Sequence, residues 1–221
     1  MRNRMMVLAV MCLLVLAYAA PSAAKGGSFP PSPPCPPQPT EKKIFVTSET
    51  YTGNLGGLAG ADNHCQALAT AAKIKGTYKA WLSAYPAYEH SASVRLQHSK
   101  VQYVDTCSPS HVIADDWTSL TSGVLKYPIT CDEAHHPIPR DEPTGFVWTA
   151  SDTAGQGPDI FFQADGKYAC GDWTLEDNNH QATFGIIGQA DYLWTGAVVQ
   201  SNTLYTEYSC GDPLHLYCVE Q

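Results

Sequence analysis

The chain has few positive charges and gathers none of them into a run: 13 Lys and Arg stand against 21 Asp and Glu. Arg2 and Arg4 belong to an N-terminal leader described below, so 11 of the 13 remain for the mature protein. A surface of that sign repels nucleic acid, heparin-like polyanions and anionic membranes, and none of these is expected as a partner. A long apolar run is also lacking. Met5 to Leu16 is shorter than the roughly 20 residues that a membrane span needs, and no later segment approaches it, so no transmembrane segment is expected. No two cysteines have the CxxC spacing of a zinc ribbon or finger. Residues 42–221 hold no GxSxG elbow, HExxH helix, SxxK pair or phosphate loop, so the familiar hydrolytic and phosphoryl-transfer chemistries lack their residues. The expectation is a non-catalytic protein with no cofactor and no resident metal.

The N-terminus has the anatomy of a secretory signal peptide: basic Arg2 and Arg4, the apolar run, then small residues around Ala17-Tyr18-Ala19. Cleavage after Ala19 or Ala24 is expected. We read residues 1–24 as the signal, 25–41 as a proline-rich spacer of extended polyproline type, and 42–221 as one domain long enough to bury a sizeable core. The protein is therefore expected to be secreted, extracellular or at the cell surface.

Cysteine usage agrees with that compartment. Cys65, Cys107, Cys131, Cys170, Cys210 and Cys218 lie in the domain, an even set that reads as three disulfides, with fifteen possible pairings. Cys35 is left in the spacer, either free or joining two chains in a disulfide-linked dimer.

Residues 43–48 alternate Ile44 and Val46 with Phe45 and Thr47, the period of a strand. A glycine-rich turn, TGNLGGLAG, follows. Ala61, Cys65, Leu68, Ala69 and Ala72 then recur at helical spacing, predicting an amphipathic helix that ends near Gly76, with Lys73 and Lys75 at its negative end. Strand-like runs follow at 78–84, 145–150, 168–174 and 213–221, the last with Leu214, Leu216 and Cys218 on one face. Asp115, Asp116, Trp117 and Leu120 predict a short second helix with an acidic cap. Trp81, Trp117, Trp148, Trp173 and Trp194 each flank apolar residues and read as core aromatics.

Residues 127–144 have four prolines and little periodicity, and long irregular loops inside a domain are often functional. Their densest polar stretch, CDEAHHPIPRDE, offers Asp132, Glu133, His135, His136, Asp141 and Glu142 as a candidate ligand-binding loop. Paired histidines and carboxylates can hold a transition metal, or Ca²⁺ through oxygens alone; a charged, proline-rich loop can equally be a solvated face. His64, His111, His180 and His215 stand isolated in sequence and read as surface or hydrogen-bonded histidines. The triplet Glu142-Pro143-Thr144 is similar to the Glu-Pro-Asn of calcium-dependent lectins but differs at its third residue, and its acidic partner would be Asp172.

The stretch IFVTSETYTGNLGGLAGADNHCQALATAAKIKGTYKAWLS resembles the opening of the endostatin domain of certain collagens and, more closely, its bacterial relatives, including leptospiral endostatin-like surface proteins. ADDWTSLTSG, VWTASDTAG, YACGDWT and SCGDPLHLYCVEQ follow in the same order. The resemblance implies an α+β, C-type-lectin-like fold: a mixed antiparallel sheet, two helices, a long irregular loop region and three disulfides. It also implies the pairings Cys65 to Cys218 and Cys170 to Cys210, leaving Cys107 to Cys131 as a local clasp. The zinc-binding histidines of the animal module have no counterpart in residues 36–43. Its heparin-binding arginine cluster has none either, because Arg95 and Arg140 are the only arginines of the domain. The leptospiral relatives act as adhesins, so the expected function is recognition of an extracellular protein or matrix ligand, with carbohydrate binding as the alternative.

Overall fold

The computed structural model describes residues 40–140, 145–157, 169–196 and 207–221. The expected signal, most of the expected spacer and Cys35 lie outside the described residues, as do Asp141 and Glu142.

Eight strands form one mixed sheet: β1 (Glu41–Val46), β2 (Tyr78–Ala80), β3 (Gln102–Asp105), β4 (Val112–Ala114), β5 (Phe146–Trp148), β6 (Gln181–Ile186), β7 (Glu207–Ser209) and β8 (His215–Glu220). The order is β4-β3-β1-β8-β5-β6-β7, with β2 also pairing with β8. The first and last strands are therefore neighbours, antiparallel, with Ile44 opposite Val219 and Val46 opposite Tyr217. β1 and β3 run parallel, as do β5 and β8, which makes the sheet mixed.

Strand β8 is buried on both faces, and its alternation sorts the core in two. Leu216 and Cys218 join Phe45, Trp148 and the helix residues Ala61, Cys65 and Ala69 on one side. Tyr217 and Val219 join Ile44, Val46, Trp81, Trp117 and Trp194 on the other. All five tryptophans are buried, four of them completely. Trp81 packs its ring 4.9 Å from that of Trp194, tilted by 45°, and donates its Nε1–H to Thr195 Oγ1 at 2.6 Å, so its one polar atom is satisfied inside the core.

Helix α1 (Gly57–Ala71) lays Ala61, Cys65 and Ala69 against this sheet, and these small residues allow close approach. Gly60 is obligatory at its start, because a Cβ there would meet Leu55 O at 1.9 Å. The helix ends earlier than the spacing predicts. Lys73 takes a left-handed φ of 60°, its N–H reaches Thr70 O, and the Ile74 N–H reaches Ala69 O. This is the Schellman stop, with lysine where glycine is usual. Lys73 and Lys75 therefore lie beyond the helix rather than in its last turn.

The predicted second helix is a single turn, Trp117–Leu120, capped by Asp116, which accepts from the Ser119 N–H at 2.7 Å. Two further single turns occupy Ala87–His90 and Ala92–Arg95.

The strand expected over 168–174 is replaced by a left-handed turn. Cys170, Gly171, Asp172 and Trp173 have φ of 49°, 58°, 55° and 66°. Such a conformation costs each non-glycine residue about 1–2 kcal/mol, so neighbours must impose it. Trp173 is fully buried and donates Nε1–H to Ser83 O at 2.7 Å, while Asp172 accepts the Tyr85 N–H at 2.9 Å. Cys170 is bonded to Cys210, and Gly53 lies so close that a Cβ would be 2.4 Å from Cys170 Sγ.

Three disulfides close the domain: Cys65–Cys218, Cys170–Cys210 and Cys107–Cys131. They tie α1 to the last strand, the left-handed turn to the approach to β8, and the β3–β4 connection to the loop before Asp132. Among the described residues no helix is long and apolar enough to cross a membrane.

Candidate functional site

The polar loop singled out above starts alongside the end of β1, where Val46 bridges Asp132, and turns outward from Ala134. Val46 N–H donates to Cys131 O at 2.9 Å, Thr106 Oγ1 donates to Asp132 O at 2.7 Å, and Ile138 N–H donates to Thr130 O at 2.8 Å. This pairing draws the two central carboxylates inward: Asp132 and Glu133 are each 5% exposed. Oδ1 of Asp132 accepts the N–H groups of Ala134 and His136, both at 2.8 Å, which closes residues 132–136 into a tight turn. Glu133 accepts the Ser48 N–H at 3.0 Å and also its hydroxyl. Both buried carboxylates thus accept hydrogen bonds from the protein's own groups, as buried carboxylates must.

His135, in a left-handed conformation (φ 72°), donates Nδ1–H to Thr106 O, and its residue as a whole is exposed. It borders a groove of about 490 Å³ where Glu41, Glu220, Lys43 and Lys73 also meet, so charges of both signs share one surface. His136 extends outward with its side chain 75% exposed and its Nδ1 at 3.4 Å from Asp132 Oδ2. The structure therefore gathers Asp132, Glu133, His135 and His136 in one turn, but points the acids in and leaves the imidazoles out. Asp172, the prospective lectin-type partner, lies in the left-handed turn with its carboxylate on the Tyr85 N–H.

Other histidines also have partners. His180 Nδ1 sits 2.8 Å from Asp177 Oδ1, and this bond, with the Asn179 and His180 N–H groups, holds the Asp177 carboxyl below its usual range. His215 is buried and donates Nδ1–H to Thr47 O at 2.6 Å. His64 packs its ring 4.2 Å from that of Tyr51.

His111 makes the most elaborate of these arrangements. Residues 106–111 connect β3 to β4, and Asp105 N–H bonds to His111 O at 3.0 Å across the mouth of that connection. The Asp105 side chain is fully buried: Oδ1 accepts the N–H of His111 at 2.7 Å and of Cys107 at 3.2 Å, and Oδ2 accepts from His111 Nδ1 at 2.8 Å. The Tyr127 ring stacks on the imidazole, 3.8 Å away and 9° from parallel. Among the described residues, Asp105, Cys107 and His111 are the group in which three potential metal donors come within 4.8 Å of one another. Sulfur bound in a disulfide is not the thiolate that a metal needs, so as it stands this is not a metal site.

A second cluster consists of loops. Ser93 N–H donates to Gly155 O at 2.9 Å, and Gln156 Nε2 donates to Ser93 Oγ at 2.8 Å. Gly123 lies against Thr153, Leu125 N–H donates to Ala190 O at 2.6 Å, and Thr195 Oγ1 donates to Ser151 O at 3.4 Å. These contacts link four connections to one another. On them sit Val94, Val124 and Tyr192, exposed by 59%, 67% and 49%. Sequence periodicity does not announce these positions, because they lie in three different connections that only the fold brings together.

Arg95 is occupied too. It bonds Asp62 at 2.7 Å and donates to Leu82 O at 2.6 Å, so its guanidinium fastens α1 to the loop after β2. No family model matches the chain, and no curated protein matches it.

Proposed function

We propose that this protein is a secreted or surface-associated, non-catalytic binding module of endostatin-like, C-type-lectin-like type, held on a proline-rich spacer and recognising an extracellular protein. One observation carries this reading: connections 91–98, 121–127, 151–156 and 189–196 are hydrogen-bonded to one another on a disulfide-clamped frame and present Val94, Val124 and Tyr192 to solvent. Side chains fixed in loops by a rigid scaffold lose little entropy on binding, and an aromatic such as Tyr192 is the type of anchor that most often carries the energy of protein recognition. The chain's acidic balance and the structural employment of Arg95 favour a neutral or basic protein partner over a polyanion. The His135–His136 turn is the second candidate contact.

The test is binding of the exported protein to an immobilised panel of extracellular-matrix and plasma proteins. Val94→Ser, Val124→Ser and Tyr192→Ser together are expected to abolish capture, while His135→Ala with His136→Ala retains it. Capture that survives the triple change and disappears with the histidines would move the site to the 132–136 turn. Capture of glycans rather than proteins would favour a lectin.

A further inference from the structure

We propose that Cys107–Cys131 is an exchangeable disulfide, served by the His111–Asp105 couple, which takes an external thiol into a mixed disulfide at Cys107. This does not depend on which surface binds the partner. The three disulfides differ sharply in access: Cys65, Cys218, Cys170 and Cys210 are fully buried, Cys131 is 4% exposed, and Cys107 is only partly buried. Thiol–disulfide exchange requires a nucleophile to reach a sulfur in line with the S–S bond, so Cys107 Sγ is the point of entry.

What stands beside that sulfur is specific. A ring nitrogen of His111 lies within 4.8 Å of Cys107 Sγ. The imidazole is held on two sides, by Asp105 Oδ2 on Nδ1 and by the parallel Tyr127 ring, and its side chain is 32% exposed, open to an arriving thiol. With Nδ1–H donated to a buried carboxylate, the Nε2 lone pair is left as the base, the same division of labour by which a carboxylate orients a catalytic histidine. Asp105 also accepts the Cys107 N–H, so the carboxylate positions both the base and the cysteine. Asp105 and His111 are positioning and proton-transfer residues for this step; neither core disulfide has such a neighbour among the described residues.

The step balances without an outside oxidant. An external thiol gives its proton to His111, and its sulfur attacks Cys107 Sγ. The Cys107–Cys131 bond breaks, and the Cys131 thiolate leaves and takes the proton from the imidazolium. The products are a mixed disulfide on Cys107 and a thiol at Cys131. The closed loop spans 24 residues, against 40 and 153 for the other two, so opening it releases the least chain entropy of the three and leaves the core clamped.

The test incubates the exported full chain with reduced glutathione under native conditions, followed by mass mapping of thiols and bridges over time. The expected result is glutathione on Cys107, a free thiol at Cys131 and two intact core disulfides. A thiol is already a few per cent thiolate near neutrality, so a base that completes its deprotonation is worth about tenfold; His111→Ala is expected to slow adduct formation by about that factor, His180→Ala to leave it unchanged, and added imidazole to restore part of the lost rate in His111→Ala. The rescue separates a proton-transfer role from a structural one. First modification at a core disulfide, no adduct at Cys107, or a His111→Ala protein that reacts as fast as the unaltered chain would overturn the proposal.

Discussion

Asp132 is where the loop's chemical promise and its structural role can be separated by one pair of substitutions. Its Oδ1 accepts two backbone N–H groups at 2.8 Å from a site that is 5% exposed. Hydrogen bonds to a charged acceptor are worth about 1.5–3 kcal/mol each when buried, but the donors Ala134 and His136 lie in an exposed turn where water replaces part of the loss. Asp132→Ala is therefore expected to cost about 2–3 kcal/mol. The ion pair to His136 adds little, because that histidine is 75% exposed and the contact is 3.4 Å long. Asp132→Asn keeps a carbonyl oxygen in the same place, but a neutral acceptor bonds about half as strongly as a charged one, so it is expected to cost about 1–1.5 kcal/mol. In a domain of this size 1 kcal/mol corresponds to about 2–4 °C, so calorimetry should find Tm lowered by about 4–12 °C in the first variant and by about 2–6 °C in the second. Equal losses in both would refute the acceptor argument. Two neutral variants, with loss of ligand binding in Asp132→Asn, would return this carboxylate to a ligand-binding role.

Three further outcomes follow from the same coordinates. Lys73→Gly relieves a left-handed residue at an exposed helix stop and is expected to raise stability by about 1 kcal/mol in denaturant unfolding; a loss would show that the lysine side chain itself holds the stop. Burial pushes the phenols of Tyr78, Tyr103 and Tyr217 above the usual tyrosine range. A phenol that stays protonated longer in the folded state supports folding fully below the unfolded value of about 10 and loses that support as pH rises beyond it, so Tm should fall above about pH 10. Tyr217→Phe should soften that fall at little cost in stability near neutrality, because the Tyr217 hydroxyl has no hydrogen-bond partner among the described residues; an undiminished slope would count against it.

The sequence made the ends of the domain legible and its middle obscure, for physical reasons. Residues 43–48 and 213–221 carry a clean period of two because β1 and β8 lie side by side between two apolar layers, and Ala61, Cys65 and Ala69 carry the helical period because α1 packs on one of them. YACGDWT looks apolar enough for a strand, yet a disulfide, a buried indole and the Gly53 contact bend it left-handed, and all three partners are distant in sequence. β3, β4, β6 and β7 span three to six residues and gain their pairing from remote partners, so no local period announces them. At the candidate site, composition located the 132–136 turn but could not tell that its acids face inward. His111 read as isolated because Asp105, six residues away, meets it only through the β3–β4 connection.

The account rests on covalent closure of this frame: α1 fastened to the final strand, the left-handed turn fastened beside it, and one accessible clasp left on the β3–β4 connection. Peptide mapping of the unreduced protein tests this most directly. The predicted bridges are Cys65 to Cys218, Cys170 to Cys210 and Cys107 to Cys131, with mild reduction opening the last of them first. A native protein in which Cys65 and Cys218 are found as thiols, or joined to other cysteines, would contradict it.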